Sequence, residues 1–160
     1  LIQKNYKTDH LIRSGLSVKK EGSTIVQDKF KNRLIFSIFD QKGKCVGFSG
    51  RYIGPEKKDF APPKYLNSPE TTLFLKSKIL FGLYQAQQSI REFKFAILTE
   101  GQMNILSSHR AGVPNIVASL GTSFTEQHLD LLRRYTDNIY LAFDKDTAGK
   151  KAMLRTLEMI

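Results

Sequence analysis

Three acidic residues stand where they could hold a metal ion. Near the C-terminal end, Asn138-Ile-Tyr-Leu-Ala-Phe-Asp144-Lys-Asp146-Thr-Ala-Gly149-Lys150 places two aspartates at i and i+2 directly after an apolar run. On an extended backbone such residues point the same way, so Asp144 and Asp146 can aim at one ion. Upstream, Phe93-Lys-Phe-Ala-Ile-Leu-Thr99 reads as a buried strand that stops at Glu100-Gly101. Carboxylates at the carboxyl ends of parallel strands suit Mg²⁺, which takes oxygen ligands and keeps several waters. A carboxylate beside such an ion can ligate it or serve as general base or acid. The plainer alternative is that an Asp caps the next helix and that Glu100 merely sits well near a helix N-terminus.

The elements around these residues favour convergence. Beyond Arg91 the chain alternates strands and helices: strand 93–99, a helix Gln102 to Arg110 closing at Gly112, a short strand Asn115–Ser119, and a helix opened by Ser123-Phe-Thr-Glu126 as a capping box and running through Tyr135. A buried strand 139–143 and an amphipathic run to Ile160 follow. This βαβαβα order predicts a parallel sheet with right-handed crossovers, all carboxyl ends on one edge. In common doubly wound orders the first and third strands can be neighbours, so Glu100, Asp144 and Asp146 could converge.

Charge points to a polyanionic partner. The 160-residue chain carries a net charge of +10 and a pI near 9.7. From Leu1 to Arg91 there are 17 basic and 7 acidic residues, so the excess lies in the first half and the second half is near neutral. Lys and Arg on phosphates release condensed counterions, which makes nucleic acid the expected partner. No basic amphipathic helix with bulky apolar anchors supports a membrane surface, and no apolar run approaches the roughly 20 residues of a bilayer span. The single cysteine, Cys45, excludes an internal disulfide framework and a cysteine-rich zinc site, and it fits a reducing, cytoplasmic compartment. The chain begins at Leu1 without a signal peptide, and it is read as an excised fragment.

In the first half, a short helix is expected around Thr8–Ser14, stopped by Gly15, with loop over Asp28 to Lys31. Arg33–Asp40 and Cys45–Ile53, rich in β-branched and aromatic residues around Gln41-Lys42-Gly43-Lys44, predict a hairpin. Gly47 and Gly50 suggest a bulge or a close backbone approach. Arg33 and Arg51 could project from the hairpin into a groove, or merely solvate an edge. Residues 54–72 read as an ordered loop with four prolines, and Leu83–Ile90 reads as helix.

The second half resembles the Toprim fold through Leu98-Thr-Glu100-Gly101 and Asp144-Lys-Asp146-Thr-Ala-Gly149. Over the whole chain the sequence is similar to the bacterial replicative (DnaG-type) primases, through Phe30-Lys-Asn-Arg33-Leu-Ile-Phe, Gly47-Phe-Ser-Gly-Arg51, Lys64-Tyr-Leu-Asn-Ser-Pro-Glu-Thr71, Leu80-Phe-Gly-Leu-Tyr84 and Val117-Ala-Ser-Leu-Gly-Thr122. The resemblance implies an α/β fold: a Toprim-type parallel sheet flanked by helices over 91–160, preceded by a smaller basic α+β subdomain over 1–90. It implies the RNA-polymerase core of a DNA primase, a nucleotidyltransferase that makes short RNA primers from ribonucleoside triphosphates on a single-stranded DNA template. Glu100 matches the family's catalytic glutamate, and Asp144 and Asp146 match its metal-binding aspartates, for Mg²⁺ with Mn²⁺ as substitute. Lys31, Arg33, Arg51, Lys64, Asn67 and Lys76 fall on its groove for template and nucleotide phosphates. A replicative helicase would dock through a domain absent here, and the zinc-binding domain is missing too.

The chain departs from the family's Glu-Gly-Tyr-Met-Asp, with Gln102 and Asn104 at the Tyr and Asp positions, and Lys145 stands where a small residue is usual. The family's further acidic pair would lie beyond Ile160, so an incomplete metal site is expected within this chain. The alternatives are a Toprim nuclease or topoisomerase piece, against which the Lys64–Thr71 string speaks, and a nucleic-acid-binding module with a decayed metal site.

Overall fold

A computed structural model describes residues 2–55 and 62–160. Lys57 and Lys58, counted in the basic excess, lie outside the described residues. The chain forms two compact units: Leu1–Ser37 with Gly47–Pro69, and Ile38–Val46 with Glu70–Ile160. No helix among the described residues is long and apolar enough to cross a membrane.

In the first unit, helix α1 (Thr8–Arg13) ends at Ser14, and Gly15 takes φ 72°, the left-handed conformation that glycine tolerates without a Cβ clash. Two short strands follow, β1 (Ser17–Lys19) and β2 (Val26–Asp28), paired antiparallel with Ser17 opposite Asp28. Asp28 therefore ends a strand where loop was expected. Three-residue strands leave no period to read. The expected hairpin is β3 (Arg33–Phe39) and β4 (Cys45–Tyr52), whose tip, Ile38–Val46, belongs to the second unit. Its turn is held by the Asp40 side chain, which accepts the N–H groups of Lys42 and Lys44 at 2.9 Å each. Inside the expected loop, Tyr65–Asn67 forms a third strand, β5, antiparallel to β4, giving the order β3-β4-β5.

The second unit is a parallel sheet with helices around it. Its elements are α2 (Leu83–Phe93), β6 (Ala96–Thr99), α3 (Gln102–Arg110), β7 (Ile116–Ala118), α4 (Glu126–Arg133), β8 (Ile139–Ala142) and α5 (Thr147–Leu157). Strand order is β7-β6-β8, all parallel, with Thr99 of β6 level with Ala118 of β7 and Ala142 of β8. The first and third strands of the alternation are thus neighbours, as the carboxylate argument requires. Leu83, Ala86 and Ile90 of α2 share one buried cluster with Ala96, Leu98, Val117, Leu129 and Leu132, each large side chain contributing roughly 1.5–3 kcal/mol. That burial draws residues 70–90 into the same compact unit as the sheet, whereas the sequence reading divided the chain at residue 90.

Four local expectations shift. Helix α2 continues to Phe93, and Lys94 turns the chain at φ 61°, so the strand starts at Ala96. The capping box ahead of α4 uses Thr125 and His128 in place of Ser123 and Glu126. Helix α4 stops at Arg133, with Arg134 as its C-cap, two residues before Tyr135. Among the described residues strand β8 is not buried on both faces: Ile139 and Leu141 are half-buried while Tyr140 is 62% exposed.

Candidate metal centre and basic surface

Glu100 follows β6 and Asp144 follows β8, so adjacent parallel strands deliver both to one edge. The backbone N–H of Asp144 donates to Glu100 Oε1 at 3.2 Å, docking the aspartate loop on the glutamate. Asp146 is the N-cap of α5, its Oδ1 accepting the N–H of Gly149 at 2.7 Å. The capping alternative is therefore real for Asp146, yet it occupies one carboxylate oxygen and leaves the other. Gly149 is buried, and a Cβ there would collide with the Asp144 carbonyl and stand 2.6 Å from Glu100 Oε1. The missing side chain is what lets the start of α5 close over the glutamate.

Glu100 is half-buried, while Asp144, Lys145 and Asp146 are exposed. Lys145 makes no ion pair with either aspartate among the described residues. Asn104, which stands at the family's Asp position, turns its amide to the buried Thr99 and donates to Oγ1 at 3.0 Å. A cleft of about 230 Å³ opens beside Glu100, bounded by Ser119, Thr122, Ser123, Phe143 and Arg155. Among the described residues no three His, Cys, Asp or Glu side chains are grouped closely enough to hold a metal ion. The donors fit a hard divalent cation in kind, being carboxylate oxygens at neighbouring strand ends. They do not form a preformed cage: Asp144 and Asp146 are exposed, and one oxygen of Asp146 is engaged in the helix cap.

The basic residues are positioned by a web of polar contacts. Arg51 donates to Tyr65 Oη at 3.0 Å, with its guanidinium 5.7 Å from the ring centroid. Arg51 pairs with Tyr65 and Ser49 with Asn67, so alternation puts Arg51, Tyr65, Ser49 and Asn67 on one face of the small sheet. Gly50 faces the other way, and a Cβ on it would stand 2.9 Å from Arg33 Cδ and 2.7 Å from Phe30 Cδ1. Arg33 lies on that opposite face, where Nη1 donates to the carbonyls of Gly50 (2.9 Å) and Pro63 (2.8 Å) and the guanidinium sits 5.5 Å from the Tyr52 ring centroid. Arg33 is thus anchored through Nη1 to the backbone of its own unit. Lys31 and Lys64 are exposed. Lys76 lies in the second unit, in a 3₁₀ turn over Lys76–Lys78.

The Lys64–Thr71 string carries a contact at most positions. Tyr65 holds Arg51, and Ser68 Oγ accepts the N–H of Phe48 at 2.9 Å. Pro69 fills the space that a side chain on Gly15 would occupy. Glu70 Oε1 accepts the Lys76 N–H at 2.9 Å, and Thr71 Oγ1 accepts from Leu73 and Phe74.

Comparison with known proteins decides the family. Residues 1–87 match the family described as DNA primase catalytic core, N-terminal domain, and residues 97–160 match Toprim-like. The chain belongs to the DNA primase catalytic-core family. The DNA primase of Halalkalibacterium halodurans is 43% identical over 147 residues, which is 92% of this chain and 24% of that protein. The chain spans about a quarter of the length of the curated relatives it matches. Among solved structures, the Aquifex aeolicus primase (zinc binding and RNA polymerase domains) superposes with TM-score 0.87 at 35% identity, covering 99% of this chain and 38% of that one. The DnaG primase catalytic domain bound to single-stranded DNA gives TM-score 0.82 at 40% identity, covering 94% of this chain and 47% of that one. The Toprim-type sheet with a smaller, antiparallel N-terminal sheet is the fold of these cores, and divalent-metal use goes with the family.

Proposed function

We propose that this chain is the nucleotidyl-transfer part of a primase, joining ribonucleoside triphosphates into a short RNA primer on a single-stranded DNA template. The observation that carries the reading is the docking of the Asp144 loop on Glu100 at adjacent strand ends, in a chain related to primases along its whole length. In this reading Glu100, Asp144 and Asp146 hold Mg²⁺, for which Mn²⁺ can substitute. The ion would neutralise triphosphate charge as the primer 3′-oxygen bonds to the α-phosphorus and pyrophosphate departs. The half-buried Glu100 and the exposed Asp144 and Asp146 would supply the carboxylate oxygens that hold the ion. The division of labour falls near residue 90, with the basic groove before it and the acid site after it.

Lys31, Arg51, Lys64, Asn67 and Lys76 contact template or nucleotide phosphates, Arg by a planar fork and Lys as a point charge. Arg33 contributes to the groove by fixing the backbone at Gly50 and Pro63. A replicative helicase is the expected partner of the complete protein. The deciding experiment is primer synthesis by the full-length primase with Mg²⁺ or Mn²⁺, wild type against Asp144→Ala. Loss of synthesis with template binding retained supports the assignment, and undiminished synthesis sinks it.

A further inference from the structure

We infer that His128 is a positioning residue for the lysine-bearing turn Lys76–Lys78, fixing the backbone from which Lys76 reaches phosphate. The inference rests on the reading of Lys76 as a phosphate contact.

His128 occupies the third position of α4, is fully buried, and lies against Phe124 with ring centroids 5.5 Å apart. Its Nδ1 accepts the N–H of Thr125 at 3.2 Å, which requires that ring nitrogen to be unprotonated. The proton therefore sits on Nε2, which donates to the carbonyl of Lys76 at 2.7 Å, across 52 residues of sequence. Thr125 acts the same way: Oγ1 accepts the His128 N–H at 3.2 Å and donates to the Ser77 carbonyl at 2.8 Å. From the other side, Glu70 Oε1 takes the Lys76 N–H at 2.9 Å. Both backbone polar groups of Lys76 are thus held by side chains from elsewhere in the unit.

A helix cap alone does not ask for this. A glutamate at the third position completes a capping box but has no proton to give a carbonyl. A neutral imidazole accepts on one side of the ring and donates on the other, so histidine caps α4 and grips the turn at once. The turn needs the grip: it is three residues long, and its own N-cap residue, Leu75, supplies no side-chain hydrogen bond. Holding its backbone removes ordering that phosphate binding would otherwise have to supply.

The test compares His128→Asn, whose side-chain oxygen can replace Nδ1 as acceptor but cannot reach Lys76, with His128→Gln, whose amide can reach the Lys76 carbonyl. Both are measured in the full-length primase, alone and combined with Lys76→Ala. The readouts are nucleotide KM, kcat and the salt slope of binding to a single-stranded DNA oligonucleotide. His128→Asn should raise KM about tenfold with kcat changed less than about twofold, His128→Gln should recover much of that loss, and Lys76→Ala should add little in the His128→Asn background. Additive effects, or an unchanged KM in His128→Asn when Lys76→Ala alone raises it, overturn the inference while leaving the function intact. A Lys76→Ala enzyme with wild-type KM and salt slope instead removes the reading of Lys76. If His128→Asn fails to fold, Thr125→Val takes its place, since it deletes the hydroxyl that bonds Ser77, and the same criteria apply.

Discussion

Gly149 and Glu100 fit together as seat and occupant: the glutamate oxygen stands 2.6 Å from where a Cβ on Gly149 would be, in a gap that only glycine leaves. Gly149→Ala should therefore push Glu100 and the Asp144 carbonyl off the start of α5, costing about 1–3 kcal/mol as overpacking does. Urea unfolding measures that cost. Mn²⁺ titration should register a weakened site in the same variant, and wild-type values in both would refute the relationship.

Asp146 has two roles that one pair of substitutions separates. Asn is as good an N-cap as Asp, so Asp146→Asn should keep stability while lowering metal affinity and primer synthesis. Asp146→Ala should lose both, with about 1 kcal/mol of stability gone. Equal activity of Asp146→Asn and wild type would leave Asp146 a cap and nothing more.

The two hairpin arginines should behave differently because they lie on opposite faces. Arg51→Ala is expected to weaken single-stranded DNA binding and reduce the salt slope by about 0.7, the value for one phosphate on a single strand. Arg33→Ala should cost stability, about 1.5–3 kcal/mol for charged hydrogen bonds to the carbonyls of Gly50 and Pro63. The checks are oligonucleotide titrations across salt and urea unfolding, and matching profiles for the two variants would contradict the two-faced sheet.

Burial pushes the His128 imidazole below its ordinary pKa of 6.5, offset in part by the carbonyls of Lys76 and Ile79. The folded chain keeps His128 neutral while the unfolded chain takes up a proton, so stability is full above pH 6.5 and falls as pH drops below it. The slope is at most about 1.4 kcal/mol per pH unit from this group. Unfolding measured across that range should show the slope in wild type and its loss in His128→Gln.

Much of the second unit was legible because its helices are long enough to carry a period, its short strands lie in apolar runs, and Gly101 and Gly112 mark element ends. The alternation of elements implied a parallel sheet and allowed β6 and β8 to be neighbours, and their pairing is seen only in the structure. The strands β1, β2 and β5 are as short as β7 but have no fully apolar run like its Ile116-Val117-Ala118, and only tertiary pairing reveals them. The opposite facing of Arg33 and Arg51 was hidden because it depends on how β3 lies against β4. His128 looked like an ordinary helix residue, since its partner Lys76 is 52 positions away in sequence.

The hydrogen bond from the Asp144 N–H to Glu100 Oε1 bears on the lifetime of the acid site. Local opening that breaks it parts the aspartate loop from the glutamate. A divalent ion that bridges Glu100 to Asp144 would tie the ends of β6 and β8 together, and the Asp144 amide would gain exchange protection on its binding.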